Sequence, residues 1–93
     1  MKRYVIGLDI GTTCTKALLV DETGAVVSQG SQGYRLISDG CRVEQRAEDW
    51  NTAAAAAVRQ AAAAADGQVQ AISLSTQGGS TVAVDREGRF LGN

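Results

Sequence analysis

Residues 9–16, which read DIGTTCTK, combine residue types that suit the binding of an anion. Gly11 can take a positive φ, and without a Cβ it lets backbone N–H groups approach a ligand. Hydroxyl and ammonium donors follow in the sequence: Thr12, Thr13, Thr15 and Lys16. Because N–H groups, hydroxyls and an ammonium that converge on one turn attract phosphate, we predict a phosphate site here.

Asp9 places a carboxylate next to this predicted phosphate site. It ends an apolar run, and open α/β sheets bind ligands at the ends of such strands. A carboxylate would repel phosphate unless a divalent cation lay between them, so we interpret Asp9 as a ligand of Mg²⁺ or of a Mg²⁺-bound water. The residues alone also allow a plain hairpin turn with a solvated Asp9. The pattern is not a Walker P-loop, because GxxxxGK[ST] is absent.

The elements that must position this turn are predicted to be strands. Residues 3–10 are apolar without clean alternation, which indicates a strand covered on both faces. Residues 15–21 form a second apolar run after a short turn, and 25–30 form a third after the turn Asp21–Gly24. The first third of the chain is therefore predicted to be an antiparallel three-stranded meander.

A helix is predicted from Glu48 to Ala65, where alanine dominates and acidic residues occupy the first turn. Gly67 is expected to cap its C-terminus. Residues 31–46 show no stable period and are expected to hold a ragged extension of the third strand and then a loop. One face of the helix is predicted to pack on the sheet: Trp50, Ala54, Ala57, Val58, Ala61 and Ala65.

Residues 69–76 are predicted to form a strand directly after the helix. A strand, a helix and a strand in this order indicate a right-handed crossover, with this strand parallel to a member of the meander. Residues 80–85 alternate as in a further strand and lead into the turn DREG. The fold class is therefore α/β, a meander with a crossover helix and further strands.

Composition excludes several classes of function. The net charge of −1, with charges scattered, gives no basis for binding nucleic acid or an anionic membrane. No segment approaches the length of a membrane span, and Asp9 interrupts the N-terminal apolar run too early for a signal peptide. Cys14 and Cys41 are expected to be free thiols in a reducing compartment, which predicts a cytoplasmic protein.

Three stretches together resemble a known family. IGLDIGTTCTKALLVDETG (6–24) resembles the first phosphate-binding motif of the actin-like ATPase superfamily, in the form carried by FGGY carbohydrate kinases. VEQRAEDW (43–50) is similar to the stretch with which that family begins its first long helix. AISLSTQGGSTVAVDREGRFL (71–91) is similar to the strands that follow this helix. The resemblance runs in order over almost the whole chain.

The resemblance implies an ATP-dependent kinase that phosphorylates a sugar or polyol hydroxyl, with the nucleotide held between two ribonuclease H-like domains. Residues 1–93 would be the N-terminal part of the first domain. The second domain, with the adenine pocket and an aspartate general base, would be absent, so the chain alone would be inactive.

The family's site residues are carried over only where the motifs match. Asp9 would assist Mg²⁺. The β- and γ-phosphates of ATP would be lined by Gly11, Thr12, Thr13 and Lys16. The sugar would lie near Gln77, Gly78 and Gly79.

The sequence also departs from the family pattern. Cys14 replaces the usual serine. Small residues follow Gln77, so the identity of the sugar cannot be inferred from the better-known members of the family. Arg46 and Ala47 replace the usual Asp-Pro, which leaves the predicted helix without its cap.

Two other functions stay open from the residues. An actin-like nucleotide-binding module in assembly or chaperoning would share DIGTTCTK but not the later stretches. A non-catalytic domain could instead form a homodimer through exposed sheet edges.

Overall fold

The computed structural model describes residues 2–77 and 82–92 of the 93-residue chain. Within these ranges it has six strands and one helix, in the order β1 Arg3–Ile10, β2 Cys14–Asp21, β3 Val26–Gly33, β4 Ile37–Asp39, β5 Arg42–Glu44, α1 Ala47–Ala62 and β6 Gln68–Thr76. No helix in the described ranges has the length and apolar character needed to cross a membrane.

The main sheet has four strands in the order β3-β2-β1-β6. β1 pairs antiparallel with β2, which pairs antiparallel with β3, so the predicted meander is confirmed. β6 pairs parallel with β1, which confirms the crossover through α1. This register places Asp9 between Lys16 on β2 and Ser75 on β6.

The core lies between one face of the sheet and α1. Its buried residues are Tyr4, Ile6, Ala17, Leu19, Ala57 and Ala61. At Gly30 on β3, an added Cβ would collide with the backbone carbonyl of Ala57, so small side chains bring the helix close to the sheet, as the alanine-rich sequence predicts. The predicted face is correct at Ala57 and Ala61. Ala53, which was not in it, is buried, whereas Trp50, Ala54 and Val58 are only partly buried.

β1 is covered on one face only, which contradicts the prediction from its apolar composition. Tyr4 and Ile6 point to the helix and are buried, whereas Val5 between them is 44% exposed. The reason is that a single helix covers the sheet within the described residues, so the strand alternates between a packed face and an open face.

Residues 31–46 contain more structure than the predicted loop. β3 extends to Gly33, as expected for a ragged extension, but β4 and β5 then form a separate antiparallel hairpin. Each of these strands has three residues, too few to produce a readable period of two in the sequence.

The helix ends earlier than predicted, at Ala62 instead of Ala65. Its N-cap residue Arg46 makes no side-chain capping bond, which confirms the expected loss of the cap. Gly67 is not the C-cap. An added Cβ there would collide with the backbone of Lys2, whose carbonyl accepts a hydrogen bond from the N–H of Gln68 at 2.8 Å.

The predicted strand 80–85 lies partly outside the described residues. Within them, Val84 forms an isolated antiparallel bridge with Phe90. The intervening turn contains Gly88 at φ 82°, and its N–H donates to the carbonyl of Asp85 at 3.0 Å.

Candidate functional site

The turn between β1 and β2 has all of its carbonyl groups engaged by the protein. Each of the five successive carbonyls from Ile10 to Cys14 accepts a hydrogen bond. The donors are, in chain order, the N–H of Gln77 at 2.9 Å, the hydroxyl of Tyr34, the side-chain amide of Gln45 at 2.6 Å, the N–H of Tyr34 at 3.2 Å and the N–H of Gly11 at 3.0 Å.

Two N–H groups of the same turn have no acceptor within the described residues, whereas the N–H of Gly11 is bonded to Cys14. In the described part of the chain, no hydrogen bond engages the N–H of Thr12 or of Thr13, and both residues are exposed. Backbone N–H groups require an acceptor, and a concave run of them binds anions. With its carbonyls bonded and the N–H groups of Thr12 and Thr13 without an acceptor in the described ranges, the turn presents two backbone donors to a ligand.

Tyr34 holds this turn and was missed by the sequence prediction. Its single hydroxyl proton is shared between the carbonyls of Gly11 and Cys14, and its N–H donates to the carbonyl of Thr13. Burial raises the pKa of Tyr34, so the hydroxyl stays protonated and able to donate. A single tyrosine after a strand carries no sequence signal for such contacts.

Asp9 and Lys16 lie side by side on the sheet face that α1 does not cover. Both are exposed, and Asp9 is the only acidic residue of a shallow groove of about 340 Å³ on this face. The groove is lined by Gly7, Leu8, Asp9, Lys16, Leu18, Ser73, Leu74 and Ser75. Within the described ranges no ion pair joins the Asp9 carboxylate to the Lys16 ammonium, so both charges are available to a ligand.

This donor set fits a magnesium ion that is bound together with phosphate. Mg²⁺ keeps several waters and is usually held by one or two carboxylates plus phosphate oxygens. Asp9 offers one exposed carboxylate at the end of β1, next to the donor-rich turn. A bare ion would need more protein ligands than this groove provides.

Two expectations about the turn were wrong. Thr15 is fully buried on the helix side of β2, so its hydroxyl does not join those of Thr12 and Thr13. Gly11 does not adopt a positive φ; instead, an added Cβ would lie 3.1 Å from the carbonyl oxygen of Cys14. Its role is to leave space, because the turn closes tightly on itself through the Gly11–Cys14 hydrogen bond.

Gln77 lies beside the turn, at the end of β6. Its N–H bonds to the carbonyl of Ile10, and its side-chain amide donates to Oε1 of Gln45 at 2.8 Å. The other two residues predicted for sugar binding, Gly78 and Gly79, lie outside the described residues. Gln45 lies in the stretch VEQRAEDW (43–50) and was not predicted as a site residue.

Comparison with known proteins identifies the family. Residues 4–93 match the N-terminal domain of the FGGY family of carbohydrate kinases. The chain belongs to this family. The match covers the later stretches as well as the turn, which favours the kinases over an actin-like assembly or chaperone module.

Individual FGGY relatives agree with this assignment. The chain is 33% identical to xylulose kinase of Bacillus subtilis (strain 168), over 98% of this chain and 19% of the relative. Gluconate kinase from Lactobacillus acidophilus superposes with a TM-score of 0.92 at 32% identity, over 98% of this chain and 19% of that structure. Ligand-bound xylulose kinase from the same organism gives a TM-score of 0.90 at 32% identity, over 96% and 18%.

These matches confirm the α/β, ribonuclease H-like class of fold expected from the resemblance. They also set its extent, because the chain spans about a fifth of the length of the first FGGY relatives it matches.

Proposed function

We propose that this chain forms the phosphate-binding part of an ATP-dependent kinase that phosphorylates a hydroxyl of a sugar or polyol. The observation that carries the proposal is the β1–β2 turn: its five carbonyls are bonded by the protein, while the N–H groups of Thr12 and Thr13 have no acceptor within the described residues. Asp9 and Lys16 lie beside this turn. Phosphoryl transfer depends on positioning and charge neutralisation, and this turn offers both.

Each residue of the turn has a proposed role. The β- and γ-phosphates of ATP would be bound by the N–H groups and hydroxyls of Thr12 and Thr13, with space left by Gly11 and charge supplied by Lys16. Asp9 would hold Mg²⁺, directly or through water, and the ion would neutralise charge on the phosphates during transfer.

The acceptor is proposed to be a polyhydroxylated small molecule bound near Gln77, Gly78 and Gly79. The relatives of this chain are named as kinases of xylulose, gluconate and glycerol, which share several adjacent hydroxyl groups. An amide side chain suits such a ligand, because it offers both donors and an acceptor to neighbouring hydroxyls.

Residues 1–93 are proposed to be one partial domain of the larger kinase. The adenine pocket and the general base that accepts the sugar proton would come from a second domain. The chain by itself is therefore expected to bind phosphate groups but not to turn over. The free thiols Cys14 and Cys41, together with the use of ATP, suggest that the kinase works in the cytoplasm.

A chimera tests the proposed function. Residues 1–93 replace the matching N-terminal segment of the L. acidophilus gluconate kinase, the structure that covers 98% of this chain. We expect ATP-dependent and Mg²⁺-dependent phosphorylation of gluconate, measured by coupled ADP release. The isolated chain is the control and should show no turnover. A chimera that is folded by circular dichroism but inactive would reject the proposal.

The isolated chain is also proposed to self-associate. β6 is an edge strand of the described sheet, and its side chains Ile72 and Leu74 are 52% and 60% exposed. An unpaired strand with exposed apolar residues favours pairing with another copy. Size-exclusion chromatography with light scattering should give a dimer, and a monomer at all concentrations would contradict this.

A further inference from the structure

The side chain of Gln45 joins three separate parts of the molecule. It lies between β5 and α1 and is partly buried. Its Nε2 donates to the carbonyl of Thr12 at 2.6 Å. Its Oε1 accepts from the indole N–H of Trp50 at 3.2 Å and from Nε2 of Gln77 at 2.8 Å.

The chemistry of these partners fixes the orientation of the Gln45 amide. The Thr12 carbonyl can only accept a hydrogen bond, so it must face the NH₂ group. The Trp50 indole can only donate, so it must face the oxygen. Both requirements select the same orientation, and reversing the amide would oppose donor to donor and acceptor to acceptor.

The orientation of Gln45 determines in turn the orientation of Gln77. Because Oε1 of Gln45 faces Gln77, the amide of Gln77 must present its NH₂ group to it. The N–H of Gln77 is bonded to the carbonyl of Ile10. Oε1 of Gln77 has no donor within the described residues, and the residue is only partly buried.

We propose that Gln45 is a positioning residue that couples the β1–β2 turn to the site where the sugar or polyol would bind. Together with Trp50 it orients Gln77 so that Oε1 of Gln77 accepts a hydrogen bond from a hydroxyl of a polyhydroxylated substrate. This inference rests on the proposed function for the identity of the ligand. The coupling follows because one amide holds both the Thr12 carbonyl and the Gln77 side chain, so a displacement of either moves the other.

The first experiment tests the network without any activity. In the ¹⁵N-labelled chain, Gln45→Leu should increase hydrogen exchange of the Trp50 indole N–H about tenfold and shift the side-chain NH₂ signals of Gln77 and the N–H signals of Thr12 and Thr13. Gln60→Leu is the matched control, since Gln60 also accepts an inter-element hydrogen bond, from the N–H of Ser31 at 3.1 Å. If these signals change by the same amount in both variants, or in neither, the network is rejected.

The second experiment separates the two connections by kinetics in the gluconate kinase chimera. Gln45→Glu keeps an acceptor for Trp50 and Gln77 but opposes a carboxylate oxygen to the Thr12 carbonyl, so it should lower kcat about tenfold and change the gluconate KM less. Trp50→Phe removes one of the two partners that fix the amide orientation and leaves the bond to Thr12, so it should raise the gluconate KM about fivefold and change kcat less. Equal changes in kcat and KM for both variants would overturn the positioning role.

Failure of this inference and failure of the proposed function give different results. A chimera without kinase activity rejects the function, and the exchange measurements then decide whether Gln45 orients Gln77. If the chimera is active but Gln45→Glu and Trp50→Phe change kcat and KM equally, or in the opposite way, only the inference about Gln45 is rejected.

Discussion

Two turns of the same sheet use similar residues in opposite ways. The β1–β2 turn and the β2–β3 turn each join antiparallel strands, and each combines an aspartate, threonine and glycine. In the β2–β3 turn, Oδ1 of Asp21 accepts from the N–H and hydroxyl of Thr23, at 2.9 and 2.6 Å, and from the N–H of Ala25 at 3.1 Å. In that turn the carboxylate accepts from donors of the turn itself.

The β1–β2 turn has the reverse arrangement. Its carbonyls are bonded by residues distant in sequence, such as Gln45, which lies 33 positions from Thr12. Its own carboxylate, Asp9, stands outside the turn on the open face of the sheet. A binding turn is therefore distinguished by which of its polar groups remain free, and residue composition alone does not reveal this.

The largest expected effect separates the two aspartates. In the gluconate kinase chimera, Asp9→Asn should lower kcat about 100-fold or more, because removing one group that neutralises transition-state charge has effects of this size. The affinity for gluconate should change little. Asp21→Asn removes the same charge from the other turn and should leave kcat near that of the parent. Similar kcat values for the two variants would end the assignment of Asp9 to Mg²⁺.

Substitution of Gly24 should affect stability, whereas substitution of Gly11 should affect kcat. Gly24 has φ 88°, so Gly24→Ala should lower the free energy of unfolding by about 1–2 kcal/mol without lowering kcat of the chimera. Gly11→Ala instead brings a methyl against the Cys14 carbonyl and should lower kcat, because the N–H groups of the turn move. Urea unfolding and steady-state kinetics measure the two effects. A loss of stability alone at both positions would remove the distinction.

The smallest expected effect is a dependence of the free energy of unfolding on pH, which comes from Asp21 in the β2–β3 turn. The hydrogen bond from the Thr23 hydroxyl, assisted by backbone N–H groups, lowers the pKa of Asp21 below its ordinary 3.8. Since the folded-state pKa is the lower one, this stabilisation is present above pH 3.8 and is lost as the pH falls through the folded value.

Urea unfolding of the chain between pH 2 and 6 measures this dependence. Asp66, whose pKa is lowered by the hydrogen bond from Tyr4, contributes in the same direction. Asp21→Asn should therefore reduce the acid slope without abolishing it, and an unchanged slope would contradict the role of Asp21.

Much of the fold could be predicted because its signals are local. The meander and the alanine-rich helix each depend on residues close in sequence, and the parallel pairing of β6 follows from the handedness of crossovers. The β4–β5 hairpin was missed because its strands are too short to show a period.

The candidate site was only partly predictable for a related reason. Asp9 and Lys16 could be placed together from the hairpin alone, since they are opposite in its register. The Thr15 hydroxyl was wrongly counted among the donors of the turn, because the turn length decides which residues of β2 face the helix. Tyr34 and Gln45 could not be found, since their hydrogen bonds to the turn depend on how β3 and the start of α1 fold back.

The close contact at Gly30 limits how this protein can change during evolution. Because the backbones of β3 and α1 touch there, a larger residue at position 30 would push the helix away from the sheet. The same helix carries Trp50, whose indole reaches Gln45. We therefore expect position 30 to remain glycine, because the colliding atom is a backbone carbonyl that no substitution at Ala57 removes.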